Sequence, residues 1–289
     1  MKKYFTYIIP ILIIFGMAAG LYFTMAEYRG SRLPAASIGN PPSSPASPSP
    51  GQQPQPQAKP VNQLGPVDNN SGATAIAILM YHVIGNGPNS LFVPADSFEA
   101  QMNYLFQKGY HTVTMAEVEK MLVSGCIPAK TVALTFDDGY SSVYTTAWPI
   151  LQKYGFTGTI YVCSSFPGRP NYLSWEEIKS LQAGGMEIGS HTRNHPDLKT
   201  ASIAMQREEV IGAKKILEEQ LGITVNSFCY PSGAYNEDTL AIVKEAGYTS
   251  AVTVAYGCAS PQNNIYLLPR IRVPGWITLD KFAKSLPDL

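Results

Sequence analysis

The sequence predicts an α/β fold in which a parallel sheet closes into a barrel covered by helices. Two observations carry this prediction. From residue 73 onward, short apolar runs with strand-like composition alternate with amphipathic stretches of helical periodicity. Seven such units spread over residues 73–289 favour a closed barrel over an open sheet.

The individual elements are predicted from local composition and from capping signals. The apolar runs span residues 74–83, 131–136, 157–163, 186–191, 225–230, 250–255 and 267–273. Capping-box spacing predicts helix starts, with the pairs Asp96 and Glu99, Thr114 and Glu117, and Ser174 and Glu177, and with Asn236 as a further cap. Helix ends are predicted at the glycines that follow these stretches, which are Gly109, Gly184, Gly222 and Gly247.

The first residues of the chain predict a membrane anchor at 1–26. Residues 4–26 carry no charge, and a helix needs about 20 apolar residues to cross a bilayer. Lys2 and Lys3 precede this stretch, so the positive-inside rule predicts that the remainder of the chain is extracellular. A cleaved signal peptide, with a small-residue site around residues 18–20, is the alternative, and the protein would then be secreted.

Residues 27–72 predict a disordered linker, and residues 73–289 a single folded domain. Ten of the 23 prolines lie between Pro34 and Pro66, and a segment this poor in apolar residues cannot offset the entropy lost on ordering. The 21 basic and 21 acidic residues give a net charge of +0, so the charge balance offers no reason to expect nucleic acid as a partner.

Most potential catalytic residues follow predicted strands. His82, His191 and His195 are three of the four histidines, and each lies at or just beyond the carboxyl end of a strand, as do Asp137 and Asp138 in TFDDGY. The carboxyl ends of parallel barrel strands converge on one mouth, so these side chains are expected to meet. The fourth histidine, at position 111, follows a helix and is interpreted as structural.

The segment HTRNH separates His191 and His195 by four positions. If it forms a helical turn, both imidazoles can face one metal ion; a surface turn without a metal is the alternative. Two histidines and one carboxylate make a three-ligand site with an open position, which is typical of a catalytic metal. The second carboxylate can then act on water, and a turn at Gly139 is expected to bring both Asp137 and Asp138 to the mouth.

Together these motifs resemble those of the NodB-like polysaccharide deacetylases, carbohydrate esterase family 4. The resemblance rests on TFDDGY and HTRNH, with MYH upstream and YPSGAY downstream, and leaves the anchor and linker outside. It implies an incomplete (β/α)7-type barrel that holds a divalent metal, usually zinc (Zn2+), and removes acetyl groups from N-acetylated sugars. By matching position, it implies that Asp138, His191 and His195 are the metal ligands and that Asp137 is the general base.

Two departures from the family pattern leave the general acid and the partner of the general base to be assigned. No histidine follows His195, so the late histidine that many members use as general acid is missing. The MYH element is similar to that of poly-N-acetylglucosamine deacetylases, where its histidine serves as the acid, which assigns this role to His82; a hydrogen-bonded core histidine is the alternative. Cys229 stands where the family has an arginine that holds the base. Arg270 and Arg272 in LPRIRV are both predicted to point into the barrel, with Arg270 as the partner of Asp137, unless both arginines lie in solvent.

Substrate contacts are predicted from polar and aromatic residues beyond strand ends. Tyr140, Tyr235 and Trp276 are expected to stack on a pyranose ring, and a backbone N–H near Ser232 is expected to stabilise the oxyanion. The four cysteines show no CxxC spacing, and Cys163 and Cys229 are predicted to be buried free thiols.

The expected function is metal-dependent removal of N-acetyl groups from cell-surface polysaccharide that contains N-acetylglucosamine, by water activated at the metal. The polymer stays open among peptidoglycan, poly-N-acetylglucosamine and chitin oligomers, and acetyl esters such as those on xylan are a further option. Glycosidases and haloacid-type phosphatases are disfavoured because their carboxylates are not adjacent in sequence. A catalytically inactive, glycan-binding surface protein is the alternative.

Overall fold

The structure of the protein is a computed structural model that describes residues 72–287. The predicted anchor and all but the last residue of the predicted linker lie outside the described residues. Within residues 72–287, no helix is both long enough and apolar enough to cross a membrane.

Strands and helices alternate along the described part of the chain. The strands are β1 (Ala77–Tyr81), β2 (Val83–Ile84), β3 (Phe92–Val93), β4 (His111–Val113), β5 (Thr131–Phe136), β6 (Thr159–Val162), β7 (Glu187–Ser190), β8 (Ser227–Cys229), β9 (Ser250–Tyr256) and β10 (Leu268–Arg272). The helices are α1 (Ala95–Gln107), α2 (Met115–Ser124), α3 (Trp148–Tyr154), α4 (Trp175–Ala183), α5 (Ile203–Leu221), α6 (Glu237–Glu245) and α7 (Leu279–Ser285). A π-helical turn, Val143–Ala147, precedes α3, and a 3₁₀ turn, Pro231–Gly233, follows β8.

Seven parallel strands form a closed ring. Strand β1 pairs on one side with β10 and on the other with β5, and the ring continues through β6, β7, β8 and β9 back to β10. The β1–β5 pairing covers residues 77–81 against residues 132–136, so the barrel is hydrogen-bonded at its closure. Strand β4 pairs with the first half of β5 and leaves the second half to β6.

These seven ring strands are the seven strands that the sequence predicts, so the parallel barrel is confirmed. Three short strands, β2, β3 and β4, were not predicted, because two or three residues are too few to show an alternating pattern. Histidine 111 begins β4.

The capping predictions are correct at three of four positions. Thr114 and Ser174 form the predicted capping boxes with Glu117 and Glu177, and Asn236 caps α6. The prediction for Asp96 is wrong, because the N-cap of α1 is Pro94, two residues earlier, and Asp96 lies inside the first turn. There its carboxylate interacts favourably with the helix dipole instead of capping it.

The predicted helix ends are close to those observed. Gly184 and Gly222 are the C-cap residues of α4 and α5. At α1 and α6 the C-caps are Lys108 and Ala246, and the predicted glycines, 109 and 247, follow directly with positive φ.

The barrel interior is a packed apolar cluster. Almost every ring strand contributes one inward side chain: Ile78, Ala133, Tyr161, Cys229, Val252 and Leu268. Strand β7 contributes Gly189, and the ring of Tyr161 occupies the space that a side chain there would fill. Helix α2 adds residues to the same cluster and covers the end of the barrel where the strands begin. The opposite end is therefore the open one, and the strands' carboxyl ends lie there.

Gly189→Ala should destabilise the barrel. A Cβ at this position would lie 2.6 Å from the Tyr161 ring and 2.7 Å from the Ser227 hydroxyl oxygen. Overpacking of this kind costs about 1–3 kcal/mol of unfolding free energy, which urea denaturation measures. The matched control is Gly85→Ala, where an added Cβ meets nothing within 4 Å. Its expected change is within about 0.5 kcal/mol, and an equal effect of both substitutions would contradict the packing argument.

Candidate active site

The open end of the barrel brings together the reactive side chains that the sequence singles out. His82 follows β1, Asp137 and Asp138 follow β5, His191 follows β7, and Arg270 lies in β10. These strands are not all neighbours in the ring, but their carboxyl ends converge. All five side chains are at least mostly buried.

The two aspartates leave β5 in different backbone conformations. Asp137 continues the strand direction, with its N–H donating to the Tyr81 carbonyl oxygen at 2.9 Å. Asp138 adopts a left-handed φ of 73°, and Gly139 follows with a φ of 78°. The chain thus turns one residue earlier than predicted, at Asp138 itself, which brings both carboxylates to the mouth. A left-handed conformation at a residue other than glycine costs of order 1–3 kcal/mol and is typical of functional sites.

Asp138, His191 and His195 form a candidate metal site. Asp138 Oδ1 lies 3.3 Å from His191 Nε2 and 3.5 Å from His195 Nε2. One potential ligand atom from each residue lies within 4.8 Å of those of the other two. The two imidazole rings are nearly perpendicular, at 78°, with centroids 4.9 Å apart.

The donor atoms of this group fit a divalent metal. Asp138 Oδ1 is buried and has no hydrogen-bond partner among the described residues, although a buried carboxylate oxygen normally has one. His191 donates from Nδ1 to the Cys229 carbonyl oxygen at 2.7 Å, so in the neutral ring the lone pair is on Nε2, the nitrogen that faces Asp138. Such a hydrogen bond on the far nitrogen fixes the tautomer of a metal-binding histidine.

A second group of potential ligands is less suited to a metal. Asp137, His191 and Cys229 also lie within 4.8 Å of one another. Both carboxylate oxygens of Asp137 are already bonded to Arg270, whose positive charge repels a cation at that position. In the first group, Asp138 forms ion pairs only with the two histidines themselves among the described residues.

The HTRNH segment does not form the predicted helical turn. Thr192 and His195 have left-handed φ values of 67° and 59°, and the chain forms an irregular loop. The carboxylate of Glu209 accepts hydrogen bonds from the N–H groups of Arg193 and Asn194, which a helical turn would direct elsewhere. The two imidazoles still face Asp138 Oδ1, because hydrogen bonds to Glu209, and not helical periodicity, set the conformation of the loop.

Asp137 and Arg270 form a buried ion pair, which is the contact that the sequence predicts. Nη1 and Nη2 of Arg270 each donate to one oxygen of Asp137 at 2.7 Å. The remaining N–H groups donate to the Thr135 hydroxyl, the Thr253 carbonyl oxygen and the Cys229 sulfur. Burial alone would raise the pKa of Asp137, but the charge and hydrogen bonds of Arg270 hold this pKa well below its usual range. Asp137 is therefore an ionised carboxylate that is not needed as a metal ligand.

The neighbouring arginine behaves differently from the prediction. Arg272 is exposed and donates to the Ser90 hydroxyl at 3.1 Å, instead of pointing into the barrel. It is the last residue of β10, so its side chain lies beyond the barrel rim.

His82 lies beside the ion pair. Its Nε2 is 3.9 Å from Asp137 Oδ2, too far for a hydrogen bond and close enough for a charge interaction. Burial lowers the pKa of His82, and the carboxylates of Asp137 and Asp138 oppose this shift. Its imidazole therefore responds to the charge of the two aspartates.

The predicted substrate-binding residues occupy different positions. Tyr140 stacks on Tyr172 with ring centroids 5.0 Å apart, and both its burial and the Asp138 charge raise the pKa of its hydroxyl. Ser232 is exposed, with a left-handed φ of 52°. Tyr235 is half-buried and packs on the ring of Tyr230. Trp276 is 73% exposed and lines two surface grooves, neither of which includes the aspartates or histidines of the candidate site.

Comparison with known proteins gives a consistent result. The sequence profile described as "Polysaccharide deacetylase" matches residues 124–251. The chain is 39% identical over 202 residues to the putative polysaccharide deacetylase YxkH of Bacillus subtilis. These aligned residues cover 69% of this chain and 72% of the relative. The chain belongs to the polysaccharide deacetylase family.

Two further relatives extend the comparison. The solved structure of the Streptococcus pyogenes deacetylase PplD in complex with acetate matches with a TM-score of 0.71 and 33% identity, over 75% of this chain and all of that chain. The poly-beta-1,6-N-acetyl-D-glucosamine N-deacetylase of Staphylococcus aureus is 27% identical over 195 residues, which is 63% of this chain and 67% of the relative. The parallel barrel is thus the fold of this deacetylase family.

Sequence reasoning missed two residues that shape this deacetylase site. Tyr172 holds Tyr140 in place, because the segment before α4 pairs with the chain after Asp138: Leu173 N–H donates to the Gly139 carbonyl oxygen at 2.9 Å. Glu209 lies in α5, and in sequence it looks like any other glutamate of a charged helix. The sequence signal that could have identified Glu209 is its position on the helix. A helical wheel of residues 203–221 places it on the same face as Gln206, Val210 and Ala213, which is the buried face of α5.

A double-mutant cycle should show strong coupling between Arg270 and Asp137. Arg270→Met or Asp137→Asn alone leaves one buried charge unpaired, and such a break costs about 3–5 kcal/mol of unfolding free energy. The double variant leaves neither charge, so it should cost less than the sum, as measured by urea denaturation with the metal removed by a chelator.

The matched control for this cycle is the exposed pair Arg207 and Glu245, which α5 and α6 form on the surface. Its cycle should be close to additive, because solvent screens the pair. Additive effects at Arg270 and Asp137 would contradict the ion pair that the structure shows.

Proposed function

We propose that the protein is a metal-dependent hydrolase that removes N-acetyl groups from polysaccharide containing N-acetylglucosamine. The observation that carries the proposal is that two adjacent carboxylates have different partners. Asp138 presents an unpaired oxygen toward two imidazoles, and Asp137 is held as an ionised group by Arg270. A three-ligand site beside a carboxylate that does not bind the metal is an arrangement suited to metal-assisted hydrolysis of an amide.

The proposed ligands are Asp138, His191 and His195, and the proposed metal is Zn2+. Two imidazole nitrogens and one carboxylate oxygen suit zinc and leave a position for water or substrate. A metal bound there supplies a Lewis acid that polarises the acetamide carbonyl and lowers the pKa of water from ~15.7 to about 7.

Asp137 is the proposed general base. Its low pKa keeps it ionised, and Arg270 fixes its orientation through two hydrogen bonds. As water attacks the acetamide carbon, Asp137 accepts the proton that the water loses. A backbone N–H near Ser232, in the turn after β8, is the proposed donor to the oxygen that becomes negatively charged.

His82 is the proposed general acid. The carbon–nitrogen bond breaks only when the amine nitrogen gains a proton, and His82 lies within 3.9 Å of the base, at the same mouth. Burial lowers the pKa of His82, and the negative charge of Asp137 and Asp138 opposes this shift and favours the protonated imidazole that this step needs.

The proposed substrate is supported by the relatives and by the aromatic wall of the site. One relative is a deacetylase of poly-beta-1,6-N-acetyl-D-glucosamine, and the matching PplD structure is a complex with acetate, the product of such a reaction. Tyr140 and Tyr172 form a stacked pair beside Asp138, and an aromatic surface of this kind suits a pyranose ring. Tyr235 and Trp276 are proposed to contact sugars farther along the polymer.

We also propose that the domain works outside the cell. The uncharged residues 4–26 and the two lysines before them support a single-pass anchor, and the proline-rich residues that follow support a spacer between the membrane and the domain.

The purified full-length chain should release acetate from N-acetylglucosamine oligomers or from peptidoglycan only when zinc is supplied. Asp137→Asn should lower this release by about 10²–10⁴-fold, because the base is lost, while zinc remains bound. Asp280→Asn, on the exposed face of α7, is the matched control and should leave the rate unchanged. A chain that binds one zinc and releases no acetate from any glycan would instead be a glycan-binding protein.

His82→Ala should separate metal binding from turnover. Loss of a general acid is expected to lower kcat by about 10²–10⁴-fold. The zinc content, measured by atomic absorption, should stay at the wild-type value, because His82 is not among the proposed ligands. His111→Ala, an exposed histidine at the start of β4, is the control. Near-normal turnover of His82→Ala would assign the acid to another group.

A further inference from the structure

The loop between the two histidines of the candidate metal site has an unusual backbone. Thr192 and His195 are both left-handed, with φ values of 67° and 59°, and neither is glycine. A left-handed conformation at such residues is strained, so the surrounding structure must hold the loop in this conformation.

The carboxylate of Glu209 binds this loop from the side of α5. Its Oε2 accepts from the N–H groups of Arg193 at 2.9 Å and Asn194 at 2.8 Å, and its Oε1 accepts from Asn194 Nδ2 at 2.7 Å. Two successive backbone N–H groups directed at one oxygen form an anion-binding concavity. Glu209 is only 4% exposed, so these hydrogen bonds are made away from bulk water.

No ion pair accounts for the burial of this carboxylate in the described part of the chain. The Arg193 side chain pairs with Glu208, the preceding residue, and not with Glu209. A buried carboxylate without a cation needs hydrogen-bond donors, and the histidine loop supplies all three that contact Glu209. The dependence is mutual, because the same N–H groups would lose their partner if the carboxylate were removed.

The other side of the loop is held by the chain after β6. Ser164 N–H donates to the Thr192 carbonyl oxygen at 3.0 Å, and Ser165 N–H donates to the Arg193 carbonyl oxygen at 3.1 Å. Inside the loop, the Thr192 hydroxyl accepts from His195 N–H at 3.0 Å. Among these contacts, Glu209 supplies the one charged group. Together the contacts fix the backbone position of His195.

We propose that Glu209 is a positioning residue for the metal site. It contacts no proposed ligand atom; it holds the Arg193 and Asn194 backbone so that His195 Nε2 faces Asp138 Oδ1 at 3.5 Å. His191 is anchored independently, by its strand and by the Cys229 carbonyl oxygen, so Glu209 acts mainly on the second histidine. The inference rests on the proposed metal-dependent function.

The test is zinc affinity of the purified full-length chain, measured by competition with a chromophoric chelator. Glu209→Ala removes the acceptor for three donors and should raise the Kd for zinc by about 10–100-fold, the usual effect of losing a partner that orients a ligand. At saturating zinc, acetate release should return toward the unaltered rate, since no catalytic group has been removed.

The matched control is Glu218→Ala. Glu218 also lies in α5 and also accepts a backbone N–H, from Val225 at 3.0 Å, but it contacts Lys214 and not the histidine loop. Its loss should lower the melting temperature of the zinc-free chain and leave the Kd for zinc unchanged. A purely structural role for Glu209 would give the same result at both positions.

An unchanged Kd in Glu209→Ala overturns the inference. If that variant does not fold, Glu209→Asp decides, because its carboxylate is one methylene too short to reach both N–H groups; it should also raise the Kd, and an unchanged value overturns the inference. If the unaltered chain binds no zinc, both the proposed function and the inference fail. If it binds zinc and both Glu209 variants bind it equally well, only the inference fails.

Discussion

The ion pair between Asp137 and Arg270 is the interaction on which the site depends. Two charges inside a barrel are costly unless every hydrogen bond is made, and here each N–H of the guanidinium has an acceptor. The acceptors come from β5, β9 and the end of β8, so the arginine also fixes three strands of the ring relative to one another. Because Arg270 neutralises Asp137, the adjacent Asp138 is left as the carboxylate that faces the histidines.

The backbone geometry therefore directs the two carboxylates toward different partners. The left-handed turn at Asp138 directs one carboxylate toward His191 and His195, while the extended backbone at Asp137 leaves the other facing Arg270 and His82. Cys229, which stands where the family motif has an arginine, accepts a hydrogen bond from Arg270 through its sulfur and one from His191 through its carbonyl oxygen. In this chain the cation beside Asp137 comes from β10, and it contacts the Cys229 sulfur.

The sequence predicts the ring strands well, because each is a continuous apolar run that must be buried on both faces. It also predicts that Asp137, Asp138, His191 and Arg270 meet, since all lie at carboxyl ends of parallel strands. The histidine loop could not be predicted in the same way: spacing alone suggests a helical turn, and only the tertiary contact with Glu209 sets the observed conformation. The stacking of Tyr140 on Tyr172 likewise depends on a contact between segments that lie 32 residues apart in the sequence.

X-ray absorption of the zinc-loaded protein tests the central claim most directly. We predict a first shell of nitrogen and oxygen atoms at about 2.0–2.2 Å, with the multiple-scattering signature of two imidazoles and no sulfur. That result fits Asp138, His191 and His195 as the ligands and leaves Asp137 with Arg270. A sulfur shell at about 2.3 Å would place the metal on Cys229, separate Asp137 from its arginine and contradict the account.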